Sequence, residues 1–124
     1  MGTDLKSVPI AISVALLLLA GFLGACTESA PQVEGPSSVV ITEPQPGQRL
    51  QGDVVYVYYQ LTRGRADGGN HVHVWLDGEN YGFSFGPPKK LPGVGPGEHT
   101  ILVRVAKEDH KFPGPEASVT FRVE

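Results

Sequence analysis

DVVYVYYQLT, residues 53–62, is ten residues, seven of them β-branched or aromatic. Val55, Val57, Tyr59 and Leu61 share one parity, and Val54, Tyr56 and Tyr58 the other. Such a run fits a pleated surface with a partner on at least one face, so it reads as a strand. Segments of the same kind lie on either side. Ser38–Glu43 (SVVITE) precedes it, followed by a turn and a short edge in PQPGQRLQG. Arg63–Asn70 is loop; His71–Asp77 (HVHVWLD) alternates; Gly78-Glu79 turns the chain into Asn80–Gly86. Pro87–Glu98 is turn-rich, His99–Lys107 is a strand, Glu108–Pro115 turns again, and Ala117–Glu124 closes the chain. The 16 glycines and 11 prolines are explained by these turns. Beyond the N-terminal segment no window has a helical period. About seven short strands separated by turn signals predict an all-β fold, an antiparallel immunoglobulin-like β-sandwich over residues 38–124.

In HVHVWLD the alternation sets Val72, Val74 and Leu76 against His71, His73 and Trp75. Only one set can face the core, and the valine set is the apolar one. Trp75 is then expected on the outer face, covered by Tyr81 or Phe83. Tyr81, Phe83 and Phe85 alternate on the next strand; if exposed they form an aromatic patch for a sugar ring or a partner strand, although core and sheet-cover packing is the stronger explanation.

The chain has 124 residues, one domain at most. Its N-terminus, MGTDLKSVPIAISVALLLLAGFLGAC, has one cationic side chain, Lys6, then an apolar run from Val8 to Ala20 and small residues before Cys26. This is the pattern of a secretory signal over residues 1–25. Cys26 is the only cysteine, so no internal disulfide is available. Leu23-Gly24-Ala25-Cys26 resembles the lipobox of bacterial lipoproteins, whose signal is cut before the cysteine and whose cysteine is acylated, with palmitate among the chains. The resemblance implies a lipid-anchored envelope protein, and Thr27 in place of Asp points to the periplasmic face of the outer membrane in a Gram-negative host. Two or three acyl chains anchor stably, since each buried CH₂ contributes about 0.8 kcal/mol. Residues 26–37 (CTESAPQVEGPS) are expected to be the acylated cysteine and a flexible tether. Removing residues 1–25 takes one base, Lys6, and one acid, Asp4, so the charge of −3 is unchanged. With no basic stripe, nucleic acid is not an expected partner.

The chemistry is concentrated in four histidines, His71, His73, His99 and His110. An i, i+2 pair on a strand sets two imidazoles on one face with Cα atoms roughly 7 Å apart, close enough to clamp one metal ion. With no free thiolate after acylation, a nitrogen or nitrogen–oxygen donor set suits Cu(II) or Zn(II) better than Cu(I). If the His71 strand lies antiparallel to the His99–Lys107 strand, its start meets the end of that strand. His110, with Asp109 beside it, is then the third ligand. His99 falls near Trp75-Leu76 and is either a further ligand or a rim histidine bonded to a carbonyl. The competing interpretation is that each imidazole only hydrogen-bonds to a backbone group at the surface.

Residues 38–124 also resemble a group of small exported bacterial domains of unassigned function. Their pattern is carried here by Val39-Val40-Ile41-Thr42-Glu43-Pro44-Gln45-Pro46-Gly47, Asn70-His71-Val72-His73, Asp77, Pro96-Gly97-Glu98-His99-Thr100 and Asp109-His110. Two departures stand out. Asn70 replaces a usual glycine or histidine, and the later Asp-His-proline segment is reduced to Phe112-Pro113-Gly114-Pro115. The resemblance implies a fold and a histidine pattern, without an activity.

Catalysis has little basis in the residues. Ser84 and Ser118 lack a nucleophile-elbow context, the acids are scattered on turns, and no phosphate loop precedes a helix. The expectation is a non-enzymatic module. It binds copper or zinc, or else it presents its surface to a protein or glycan partner.

Overall fold

The computed structural model describes residues 31–124. The expected signal segment and Cys26 lie outside the described residues. Nine strands occur among them: β1 (Gln32–Val33), β2 (Ser38–Glu43), β3 (Arg49–Leu50), β4 (Val55–Gly64), β5 (Gly69–Leu76), β6 (Glu79–Ser84), β7 (Lys89–Leu91), β8 (Gly97–Lys107) and β9 (Glu116–Val123). No helix occurs among the described residues. The strands form two sheets. In one, β4 pairs with β2 along its middle and with β1 and β7 at its opposite ends. In the other the order is β3-β9-β8-β5-β6.

The alternation in the sequence becomes the core. Val55, Val57 and Tyr59 of β4 face Val72, Val74 and Leu76 of β5, Ile101, Val103 and Val105 of β8, and Val119, Phe121 and Val123 of β9. The valine face of β5 is therefore the inner one, as expected. Each of these side chains contributes about 1.5–3 kcal/mol on burial. With no disulfide among the described residues, this apolar layer holds the sheets together. Val40, Tyr56 and Tyr58 are left exposed on the outer face of the first sheet.

Two expectations need correction. The segment 87–98, expected to be turn only, contains β7, whose Leu91 is fully buried, followed by buried Val94. The short run Lys-Lys-Leu between prolines carries too little periodicity to show this. Residues 31–37, expected to be part of a flexible tether, are seated on the domain. Gln32 and Val33 pair with Arg63 and Gly64 in parallel. Ser37 is buried; its backbone N and Oγ donate to the Asp67 carboxylate at 2.8 and 2.7 Å, and its Oγ accepts from Gly64 N at 2.8 Å. Such contacts between a proline-rich segment and a distant loop leave no trace in local composition.

The same contacts explain two glycines. A Cβ on Gly64 would lie 2.1 Å from the Pro36 carbonyl carbon, and one on Gly69 would lie 2.5 Å from Val105 Cγ1. Both positions therefore exclude larger residues. Asp67, bonded also to Gly69 N at 3.0 Å, ties the loop to the start of β5. It thereby positions Asn70 and His71.

Candidate metal centre

β5 lies between β8 and the edge strand β6, antiparallel to β8, with His71 opposite Ala106 and Leu76 opposite Ile101. The β8–β9 connection therefore arrives beside the first histidine. It is a tight loop in which His110 N donates to the Lys107 carbonyl and Lys107 N to the Lys111 carbonyl, both at 2.8 Å. His110 has φ +64°, a left-handed position that glycine or asparagine usually fills and that disfavours other residues by roughly 1–2 kcal/mol. The loop folds back and sets the His110 ring over the outer face of β5.

The result is a triangle of nitrogens. His71 Nε2 and His73 Nε2 are 3.3 Å apart, His71 Nε2 and His110 Nδ1 3.2 Å, and His73 Nε2 and His110 Nδ1 3.1 Å. The ring centroids of the same pairs are 5.2, 4.9 and 5.3 Å apart. Each pair closes between centroid and nitrogen by nearly as much as two imidazole radii allow, so all three nitrogens point at one centre. Each contact is within hydrogen-bonding distance, but each lone pair or N–H lies in its ring plane and aims nearer the centre than a neighbour, so such bonds are bent. A cation at the centre satisfies all three. The centre is about 1.9 Å from each nitrogen, against roughly 2.0–2.1 Å for a histidine–metal bond. The three residues form a donor group able to hold a metal ion.

Asn70 adds the outer support. Its Oδ1 stands 2.6 Å from His71 Nδ1. An amide oxygen only accepts, so Nδ1 carries the proton and Nε2 of the neutral ring keeps its lone pair toward the centre. The residue that departs from the resembled pattern thus orients a candidate ligand. Burial, and then the neighbouring His110, push the His71 pKa below the usual imidazole value. Burial, His71, His110 and Lys89, in that order, do the same for His73. Both effects favour the neutral, ligating form.

Aromatic rings surround the group. His71 is 2% exposed and stacks on Phe85 at 4.8 Å. Phe112 meets His73 edge-on at 5.2 Å and Trp75 at 5.5 Å, with the Arg104 guanidinium 4.3 Å over its ring. Trp75 does lie on the outer face, but Phe112 and Arg104 cover it in place of Tyr81 or Phe83. The expected run of three aromatics on one face is also split. Trp75 pairs with Asn80 and His73 with Phe83, so one extra residue sits in β6 between them. Gly82, at φ +93°, is at that bulge. Tyr81 turns toward the core, while Phe83 joins the histidines. Ser84, bonded to Tyr59 Oη at 2.7 Å and to the Gly86 carbonyl at 2.8 Å, anchors the chain that bears Phe85.

His99 does not belong to the triangle. It sits at the other end of the sheet, where its Nδ1 donates to Asp77 Oδ2 and its Nε2 to the Gly95 carbonyl, each at 2.6 Å. With both nitrogens donating, no lone pair is left for a metal, which corrects its inclusion among the ligands and leaves the rim role. The bond to Asp77 outweighs desolvation and raises its pKa. Asp109 is also outside the group. Its Oδ1 accepts from Lys111 N at 3.1 Å and shapes the loop. Phe112 has no separable signal in the sequence; Phe83 and Phe85 stand out there as an aromatic patch and Asn70 as a departure from the resembled pattern, but their place beside the histidines follows only once the bulge and the ring positions are known.

A sandwich whose outer face carries three converging imidazoles is the class of molecule these features define. No protein-family model matches the chain, and no curated protein does. Among solved structures it is similar to the fibronectin(III)-like modules of CbhA from Clostridium thermocellum. The TM-score is 0.55 and the identity 21%, over 69% of this chain and 95% of that one. A fainter likeness, with TM-score 0.47 and 12% identity over 76% of this chain and 16% of the other, is to the extracellular domain of a proposed one-component system from B. thetaiotaomicron. The first likeness establishes the fold as a fibronectin III-like and immunoglobulin-like sandwich; it is a likeness of fold alone.

Proposed function

We propose that this protein is an exported lipoprotein, anchored through acylated Cys26, whose sandwich domain captures a zinc or copper ion through His71, His73 and His110. In a Gram-negative host it would stand on the periplasmic face of the outer membrane. The convergence of three imidazole nitrogens on one centre carries the reading. Within it, zinc is favoured over Cu(II). Three nearly equal nitrogen separations fit a trigonal or tetrahedral ion, whereas a tetragonal ion would set one pair of ligands well apart from the others. The role is binding rather than catalysis: capture or delivery of metal in the envelope.

The test is a Zn(II) and Cu(II) titration of the full chain in detergent, read by competition with a chromophoric chelator and by histidine side-chain NMR. One saturable site shifting His71, His73 and His110 together supports the reading. Shifts confined to the N-terminal segment remove it.

A second reading is an interaction module that binds a protein or glycan without metal. The exposed Val40, Tyr56 and Tyr58 on the first sheet favour it. On that reading His71→Ala and His73→Ala leave partner binding intact, and substitutions at Tyr56 and Tyr58 abolish it.

A further inference from the structure

We propose that Phe83 roofs the fourth coordination position of the ion held by His71, His73 and His110, and restricts that position to a small monodentate anion. The inference rests on the metal-binding reading. Three histidines on a tetrahedral ion leave one position open. The Phe83 ring centroid is 6.0 Å from that of His71, 5.9 Å from His73 and 5.8 Å from His110. A point equidistant from three others lies on the axis through the centre of their triangle. Phe83 therefore stands directly over the place where the nitrogens converge. Its height of about 5 Å is no more than one metal–donor bond of about 2 Å plus one van der Waals contact of roughly 3.5 Å, so the space beneath it is tight. One donor atom fits beneath the ring, and a planar or branched ligand does not.

The roof stands on the edge strand of the sheet. β6 pairs only with β5, and Phe83 is 50% exposed, so its outer side meets solvent rather than protein. Its inner side meets Phe85 edge-on at 5.4 Å. The Gly82 bulge turns Phe83 to this face. Charge at the base of the roof favours an anionic ligand: Lys89 Nζ donates to the Phe83 backbone carbonyl at 3.3 Å. No carboxylate takes part in the hydrogen bonds described around the three histidines.

The experiment loads the full chain in detergent with Co(II) in chloride-free buffer and follows its visible absorption. Tetrahedral Co(II) gives intense bands that move when the fourth ligand changes. Chloride is expected to move them in the wild-type protein, and imidazole to do so only at much higher concentration. Phe83→Ala should bind imidazole at least about tenfold more tightly, and Phe83→Leu, which keeps most of the bulk, should behave as wild type. Equal imidazole binding by wild type and Phe83→Ala overturns the roof. Bound Co(II) with bands that neither ligand moves overturns the open position while leaving the metal site standing. If the wild-type chain binds no Co(II) or Zn(II), the metal-binding reading itself falls, and the roof with it.

Discussion

At one end of β5, His71 and His73 face His110 with no carboxylate among their hydrogen-bond partners; just past the other end, His99 is held between Asp77 and a carbonyl. The residue type is the same and the sheet is shared, with His71 and His73 on β5 and His99 on β8, yet the chemistry is opposite. At the first end burial and like neighbours lower the pKa of His71 and His73, so the rings stay neutral and keep lone pairs for a metal. At the second, the bond to Asp77, and then the Gly95 carbonyl, raise the pKa of His99, which favours the doubly protonated ring with no lone pair to offer. What separates a ligand from a structural histidine here is the partner set, which depends on what the tertiary fold brings opposite each ring.

The sharpest way to break this contrast is to exchange the two classes. His71→Ala should weaken Zn(II) binding by more than about a hundredfold, beyond the usual effect of an outer-shell change, while His99→Ala leaves the affinity within about twofold. Competition against a chelator measures both, and comparable losses would erase the distinction. Asn70→Ala comes next. It frees the His71 tautomer and should weaken binding by about 10- to 100-fold with little change in the apo-protein's unfolding midpoint. His110→Gly should separate function from stability. Relief of the left-handed backbone should stabilise the apo-protein by up to about 1 kcal/mol in denaturant unfolding, while metal binding drops.

The two ends also oppose each other in pH. His71 and His73 are neutral in the fold, so the unfolded chain binds more protons between their lowered pKa values and about 6.5. Their contribution to apo-stability is full above that range and falls as pH drops through it; added Zn(II) deepens the dependence, because protons compete for the same nitrogens. His99, with its raised pKa, stabilises the fold below about 6.5 and loses that effect as pH rises through its folded value. Asp77 is held below the usual carboxylate range by His99 and the Thr100 N–H despite partial desolvation, so its share is lost only in strong acid. The smallest expected effect follows. Asp77→Asn should destabilise by no more than about 1 kcal/mol after solvent screening, most clearly in mildly acidic buffer and hardly at all in alkaline buffer. Unfolding midpoints across the pH range read both signs.

Much of the fold is legible in strand alternation. The inner faces of β4, β5, β8 and β9 are the valine-rich parities of the chain, because a period of two on a buried sheet leaves no other assignment. The antiparallel pairing of β5 with β8 also follows from strand order and turn length, and it is enough to bring His110 to His71 and to send His99 away. Three things escape such a reading. β7 and the seated residues 31–37 lack local periodicity and are held by long-range contacts. The bulge at Gly82 inserts one residue and reverses the parity of β6, so Tyr81 and Phe83 part company. The orientation of each imidazole depends on hydrogen-bond partners distant in sequence or on side chains such as Asn70 whose role is invisible until the ring is placed.

Taken by itself, then, the chain settles a sandwich of alternating strands, the inward valines, and a histidine pair with a third histidine within reach, since these depend on period and order alone. Which nitrogens meet, which histidine has an acceptor at each nitrogen, and which phenylalanine stands over the centre are decided only by folding. Those features depend on partners and on one extra residue in an edge strand, and no local pattern encodes where a side chain's acceptor will be.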